Sequence, residues 1–189
     1  MDVSEYSLAR ARTLLVPPKL QGDFATLAGL ATWRNQRLKT LLEHAELANY
    51  TVGELINWRI PQNIYREFVL SPVIVGGDRE LGWRRMLWES FYPRIRRENS
   101  PADAAQIVAR FLRQRVTLNP EQPAQAGVET IWREQIANRA DFDVIYTAAL
   151  RSVGVPARLD GAKLTEIWNG QDWERAPRPL FETCQELEK

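Results

Sequence analysis

The sequence predicts an α+β fold that is predominantly helical, with a small antiparallel β-sheet near its C-terminal end. Over the first two thirds of the chain, apolar residues recur at intervals of three and four, which is the period of an amphipathic helix. After residue 154 the pattern changes to short runs typical of strands. The dipeptides Asp160-Gly161 and Asn169-Gly170 stand between these runs, and Asn-Gly is a strong hairpin signal.

Length and charge limit the classes of function. A chain of 189 residues is long enough to bury a sizeable core as one compact unit. The 25 Lys and Arg nearly balance the 24 Asp and Glu, for a formal net charge of +1, so no global field attracts nucleic acid or anionic membrane. No segment has the length and apolarity of a membrane span, and the N-terminus lacks the features of a signal peptide. We expect a soluble protein that does not bind nucleic acid; it would be secreted or periplasmic if a signal peptide has been removed.

Proline and glycine divide the front of the chain into candidate helices. The predicted helices are Ser4 to Leu15, Asp23 to Leu47, Thr51 to Trp58, Pro61 to Leu70, Glu80 to Phe91 and Ser100 to Val116. The last begins with a capping hydroxyl, a proline and an acid, which is a strong helix start. Residues 119–127 hold two prolines and no apolar period, so they are the predicted linker between a helical N-terminal region, residues 1–118, and a core, residues 127–189.

A further helix is expected to begin after Asn138 as its cap and to end at Gly154. It is followed by the three predicted strands, Val155 to Leu159, Leu164 to Trp168 and Asp172 to Arg175. In this region the residues Asn138 to Arg158, NRADFDVIYTAALRSVGVPAR, resemble the nucleophile helix of the transglutaminase-like superfamily, a branch of the papain-like thiol enzymes. Asp141-Phe142 and the run Leu150 to Arg158 carry the resemblance.

The resemblance implies a catalytic triad that this chain lacks. In the family a Cys opens the helix, a His on the following strand accepts its proton, and an Asp on the next strand orients the His. The matching positions hold Arg139, Glu166 and, approximately, Ala176. Guanidinium is no nucleophile at physiological pH, so the sequence indicates a degenerate member of the family. Because a cation at a helix N-terminus opposes the macrodipole, we hypothesise that Glu166 pairs with Arg139.

The leading functional hypothesis is a non-catalytic transglutaminase-like module that binds a peptide, a glycan or a protein partner, or that is structural. Its inherited groove would be lined by Arg139, Asp141, Glu166 and Trp168. Trp168 and Trp173 flank the Asn-Gly turn and could stack on a sugar or peptide, although packing across strands is the default interpretation.

Two alternatives involve catalysis. In one, Glu166 or Asp141 acts as acid or base in amide or glycoside hydrolysis, within a set of candidate carboxylates that also includes Asp143 and Asp160. In the other, Cys184, the only cysteine, returns in space to the groove. Neither requires a cofactor.

Other polar groups have simpler interpretations. His44, the only histidine, lies on a Leu-rich helix and is far short of a metal-site pattern. The cluster Arg94-Ile95-Arg96-Arg97 is expected to be a solvated helix end. Trp83, Leu87 and Phe91 form one stripe of a helix that is apolar over much of its circumference, which predicts burial between two layers.

Overall fold

The structure, a computed structural model, describes residues 16–29, 38–75, 82–124 and 127–178. Its helices are α1 (Gln21–Ala28), α2 (Leu38–Tyr50), α3 (Gln62–Tyr65), α4 (Arg84–Ile95), α5 (Pro101–Arg115), α6 (Val128–Glu134) and α7 (Arg139–Ser152). A 3₁₀ turn, Pro18–Leu20, precedes α1, and π-helical turns, Thr51–Leu55 and Arg66–Leu70, extend α2 and α3. The predicted α+β fold is confirmed.

The strands form two small sheets. β3 (Ala157–Leu159), β4 (Thr165–Trp168) and β5 (Trp173–Arg175) make an antiparallel sheet in the order β3-β4-β5. A parallel pair, β1 (Thr117–Leu118) with β2 (Ile136–Ala137), was not predicted, because two residues per strand are too few to show a period. Asn119 lies directly after β1, and its N–H donates to the Ala137 carbonyl.

The described residues contain two clusters of buried apolar side chains. One draws on residues 16–70 and includes Phe24 and Leu27. The other draws on residues 83–176, so residues on both sides of the predicted linker contribute to it. Trp83, Leu87 and Phe91 are each 0% exposed within this second cluster, which confirms the burial expected for their helix. The division of the chain into residues 1–118 and 127–189 stays a prediction.

Two buried arginines connect the helical segments around residues 69–73 to α7. Arg84, at the start of α4, is 0% exposed and donates to the backbone carbonyls of Val69, Leu70 and Arg151. Arg151, at the end of α7, donates to the carbonyls of Ser71, Val73 and Ala157. The two guanidinium groups thus supply donors to carbonyls at the ends of the π-helical turn and of α7, and to carbonyls in the segments that follow them.

His44 accepts a further hydrogen bond from the Arg84 guanidinium. The Arg84 Nε donates to His44 Nδ1 at 2.8 Å, and the imidazole meets the Trp83 ring edge-on at 5.2 Å between centroids. His44 is 1% exposed, so it is a packed core residue whose ring nitrogen is an acceptor. Burial lowers the pKa of Arg84 to about 10.

The helices agree with the predictions except in their bounds. The helix predicted over Asp23 to Leu47 is interrupted at Gly29, because α1 ends at Ala28 and glycine is a poor helix former. The helix predicted over Thr51 to Trp58 stops at Leu55, and the Trp58 indole donates to the Gly154 carbonyl instead. The helix predicted over Ser4 to Leu15 lies outside the described residues.

Candidate functional site

Arg139, the residue predicted to match the family nucleophile, is the first residue of α7. Asn138 caps the helix by accepting the Asp141 N–H at 2.8 Å, and its own amide donates to the Gln122 carbonyl. The cap therefore fixes the helix start against the loop after β1. The Arg139 side chain is exposed, and the buried Asp141 in the first turn supplies the negative charge that the helix dipole favours.

Glu166, the residue predicted to match the family base, pairs with Arg158 of the neighbouring strand β3. Its carboxylate lies 3.0 Å from Arg158 Nε, and the two residues are direct partners in the register of β3 and β4. The hypothesis that Glu166 pairs with Arg139 is therefore wrong. Adjacent residues of a strand point to opposite faces: Thr165 and Ile167 are buried toward α7, while Glu166 and Trp168 lie on the other face of the sheet.

The face of β4 toward α7 holds a polar cluster built around Asp143. This carboxylate accepts from the backbone N–H and the hydroxyl of Thr165, and Arg178 lies 2.8 Å away. Thr147, one turn along α7, donates to the Thr165 hydroxyl. Sequence reasoning named Asp143 as a candidate carboxylate but missed Thr165 and Arg178. No local pattern links Arg178 to a residue that lies 35 positions earlier in the chain.

Ala176, the residue predicted to lie at or near the position of the family Asp, is 2% exposed, and its N–H donates to the Thr165 carbonyl at 3.0 Å. The next residue, Pro177, accepts the Tyr146 hydroxyl of α7 at 2.7 Å. The segment that follows β5 is therefore packed directly on α7. The Ala176 side chain is a methyl group, which cannot orient a base as a carboxylate does.

Carboxylates of this region are bound to cations or to the backbone. Asp143 pairs with Arg178, Asp160 with Arg175, and Glu166 with Arg158. The backbone N–H of Leu164 and the Arg175 guanidinium hold the pKa of Asp160 below its usual range. A general acid at neutral pH needs the opposite shift, so the Asp160 environment favours a structural turn.

Trp168 and Trp173 lie together on the outer face of the sheet. Their ring centroids are 5.7 Å apart in an edge-to-face arrangement, as direct register partners across β4 and β5. Phe68 meets Trp173 edge-on at 4.6 Å, and the Arg158 guanidinium lies 4.1 Å from the same ring centroid. The default interpretation, packing across strands, accounts for these contacts. Trp168 Nε1 is buried, without a hydrogen-bond acceptor among the described residues.

Two classes of site can be assessed over the described part of the chain. Among residues 16–29, 38–75, 82–124 and 127–178, no three His, Cys, Asp or Glu side chains are grouped so that they could hold a metal ion. The same residues include no helix long and apolar enough to cross a membrane. Cys184 lies outside this part of the chain.

Comparison with known families and proteins gives one match. Residues 89–174, from within α4 to β5, match the family model described as the transglutaminase-like superfamily. No curated protein matches the chain, and no solved structure does.

Proposed function

Through residues 89–174 this chain belongs to the transglutaminase-like superfamily, and we propose that it is a non-catalytic member that acts as an interaction module. Its role would be to bind a peptide or glycan or to hold a protein assembly together. The thiol reaction of the fold needs a nucleophile, a base and an orienting acid in mutual contact. The resemblance assigns these roles to the positions of Arg139, Glu166 and, approximately, Ala176.

The ion pair between Glu166 and Arg158 carries the proposal. A general base must be within hydrogen-bond reach of the group whose proton it takes. The Glu166 carboxylate instead lies on the sheet face opposite α7 and binds a guanidinium at 3.0 Å. A carboxylate placed in this way stabilises the pairing of β3 with β4. It offers little support for the alternative hypothesis, amide or glycoside hydrolysis by Glu166 or Asp141.

The proposed contact surface centres on Trp168 and Trp173. These rings are half-buried and touch each other, and the turn between them, residues 169–172, is exposed. Aromatic faces beside polar turn residues suit stacking against a sugar ring or a peptide side chain. Asp141 belongs to the proposal only as a secondary contact, because it lies on α7, on the other side of the sheet.

The experiment is a binding titration by isothermal calorimetry with soluble oligosaccharides and mixed-sequence peptides. Trp168→Ala should abolish the heat of binding, and Trp168→Phe should retain part of it because a stacking face remains. Tyr50→Ala is the matched control, since Tyr50 is a 48% exposed aromatic outside the sheet. A panel without binding, or binding that Trp168→Ala leaves intact, would argue against this surface.

A further inference from the structure

We propose that Arg94 and Arg115, stacked on a row of aromatic rings that joins α4, α5 and α6, form a docking surface for an acidic peptide segment of a partner protein. The surface consists of Arg94, Arg115, Phe111 and Trp132, and we refer to it as the arginine surface. It includes none of the former triad positions and neither of the sheet tryptophans. Its test is therefore independent of the peptide or glycan surface proposed above.

The aromatic row fixes the two guanidinium groups. Phe91 of α4 lies at its centre, with ring centroids 5.4 Å from Phe111 of α5 and 5.7 Å from Trp132 of α6. Arg94 lies over the Phe111 ring at 3.6 Å from its centroid, and Arg115 lies over the Trp132 ring at 4.1 Å. Each cation therefore rests at one end of a single packed row of rings.

The local charge is strongly positive although the whole chain is nearly neutral. Residues 94–115 hold the acids Glu98 and Asp103 and the following arginines: Arg94, Arg96, Arg97, Arg110, Arg113 and Arg115. Asp103 belongs to the start of α5, where its N–H and carboxylate both bind the Ser100 hydroxyl. No described carboxylate lies within 4.0 Å of a guanidinium nitrogen of Arg94 or Arg115.

The hydrogen-bonding state of these guanidinium groups points to a ligand with acceptors. The Arg94 guanidinium donates to the Ser90 carbonyl, one turn earlier in α4, and this bond orients the side chain. Arg115 Nε is buried and has no acceptor among the described residues. A buried donor without an acceptor is costly, and a carboxylate would supply an acceptor to Nε if the Arg115 side chain shifted outward on binding.

The arrangement fits carboxylates on a peptide. A stacked guanidinium is a planar fork whose orientation is already fixed, so it can bind a carboxylate in a bidentate manner at a low entropic cost. The two cations lie over the ends of the aromatic row, and Phe111, one helical turn before Arg115 on α5, supplies a partly exposed apolar ring beside them. The expected partner therefore has Glu or Asp on either side of an apolar residue. Nucleic acid is the less favoured polyanion, because the net charge of +1 supplies no general field to collect phosphates.

The probe is a short fluorescein-labelled peptide that carries four glutamates around a central Phe-Leu pair. A control peptide has glutamine in place of each glutamate. Fluorescence anisotropy at low salt would follow titration with the intact chain. The test variant combines Arg94→Gln with Arg115→Gln. The control variant combines Arg59→Gln with Arg66→Gln, two exposed arginines outside the arginine surface. Circular dichroism would establish that both variants keep the fold.

We expect saturable binding of the glutamate peptide and at least about tenfold weaker binding by the test variant, with the control variant unchanged. Replacement of both residues by Lys keeps the charge but removes the planar forks, so it should weaken binding by about threefold or more. The proposal is overturned if the glutamate peptide does not bind, if the glutamine peptide binds equally well, or if the test variant binds normally. It is also overturned if a single-stranded oligonucleotide of equal charge binds more tightly and the test variant loses that binding.

Discussion

Arg158 and Glu166 face each other across β3 and β4, with 3.0 Å between the Arg158 Nε and the Glu166 carboxylate. The ion pair engages the Glu166 carboxylate, which is the group predicted as a candidate base. Arg158 also lies against the Trp173 ring, so the ion pair and the aromatic cluster share one residue. Arg158 and Glu166 thus contribute to the packing of the sheet.

A double-mutant cycle tests whether Glu166 is coupled to Arg158 rather than to Arg139. The side chains of Arg158 and Glu166 are 37% and 18% exposed, so their coupling should be about 0.5–1 kcal/mol in the free energy of unfolding. Urea denaturation of Glu166→Gln, Arg158→Gln and the double variant gives this value. The same cycle with Arg139→Gln should give no coupling, and equal coupling to Arg139 would contradict the structure.

Replacement of Arg84 tests the buried connection between residues 69–70 and α7. Arg84→Met should destabilise the chain by about 3–5 kcal/mol, because it removes the buried donor of the Val69 and Leu70 carbonyls and one of the donors of the Arg151 carbonyl. The neighbouring Arg85→Met is the control. Arg85 is 51% exposed and pairs with Glu43, so its loss should cost less than about 1 kcal/mol. Similar losses of stability in Arg84→Met and Arg85→Met would contradict the proposed role of Arg84 as a buried connection.

Substitution of Gly154 tests how closely residues 51–56, which follow α2, pack against the end of α7. Its φ of 81° favours glycine, and a Cβ would lie 3.1 Å from Thr51 Cγ2 and 3.2 Å from Ile56 Cδ1. Gly154→Ala should therefore lower the free energy of unfolding by about 1–3 kcal/mol. Gly161→Ala, where nothing lies within 4 Å of the new atom, is the matched control. If Gly154→Ala lowers the free energy of unfolding no more than Gly161→Ala does, the contact of Gly154 with Thr51 and Ile56 is not tight enough to affect stability.

Alkaline unfolding tests the burial of Tyr146. Burial, together with the nearby Asp143 charge, raises the pKa of Tyr146 well above its usual range, so the folded chain keeps a proton that the unfolded chain releases above about pH 10. Its contribution to stability is complete below that pH and is lost as pH rises. Tyr146→Phe should cost about 1 kcal/mol at pH 7, since the hydroxyl donates to Ala105 and Pro177, and should flatten the decline above pH 10.

The wild type must be compared with Tyr146→Phe at each pH, because other groups titrate in the same range. Burial also raises the pKa of Tyr65, so the decline should be reduced rather than abolished. An unchanged slope in Tyr146→Phe would mean that Tyr146 titrates normally in the folded chain.

Local signals in the sequence predicted the elements that depend on local chemistry. Asn138 and Ser100 cap their helices as expected, since a cap needs only a side chain and an N–H three residues later. The antiparallel strands follow from short runs between turn residues. The superfamily was predicted from the residues between Asn138 and Arg158, and the family match confirms it.

The candidate site was harder to predict because its contacts join residues that are distant in the chain. The pairing of Glu166 with Arg158 depends on the register of β3 and β4, and a shift of one residue would reverse which side chains face α7. The contact between Asp143 and Arg178 and the carbonyls bound by Arg84 depend on tertiary packing. No sequence period specifies such contacts.

The most direct test of a non-catalytic role is an assay for covalent turnover. The intact chain would be incubated with glutamine peptides and a primary amine, and with amide and glycoside substrates, and products would be counted by mass spectrometry. The account predicts product at the level of the buffer, and the same level for Glu166→Gln. Turnover by the wild type that Glu166→Gln or Asp141→Asn abolishes would contradict it.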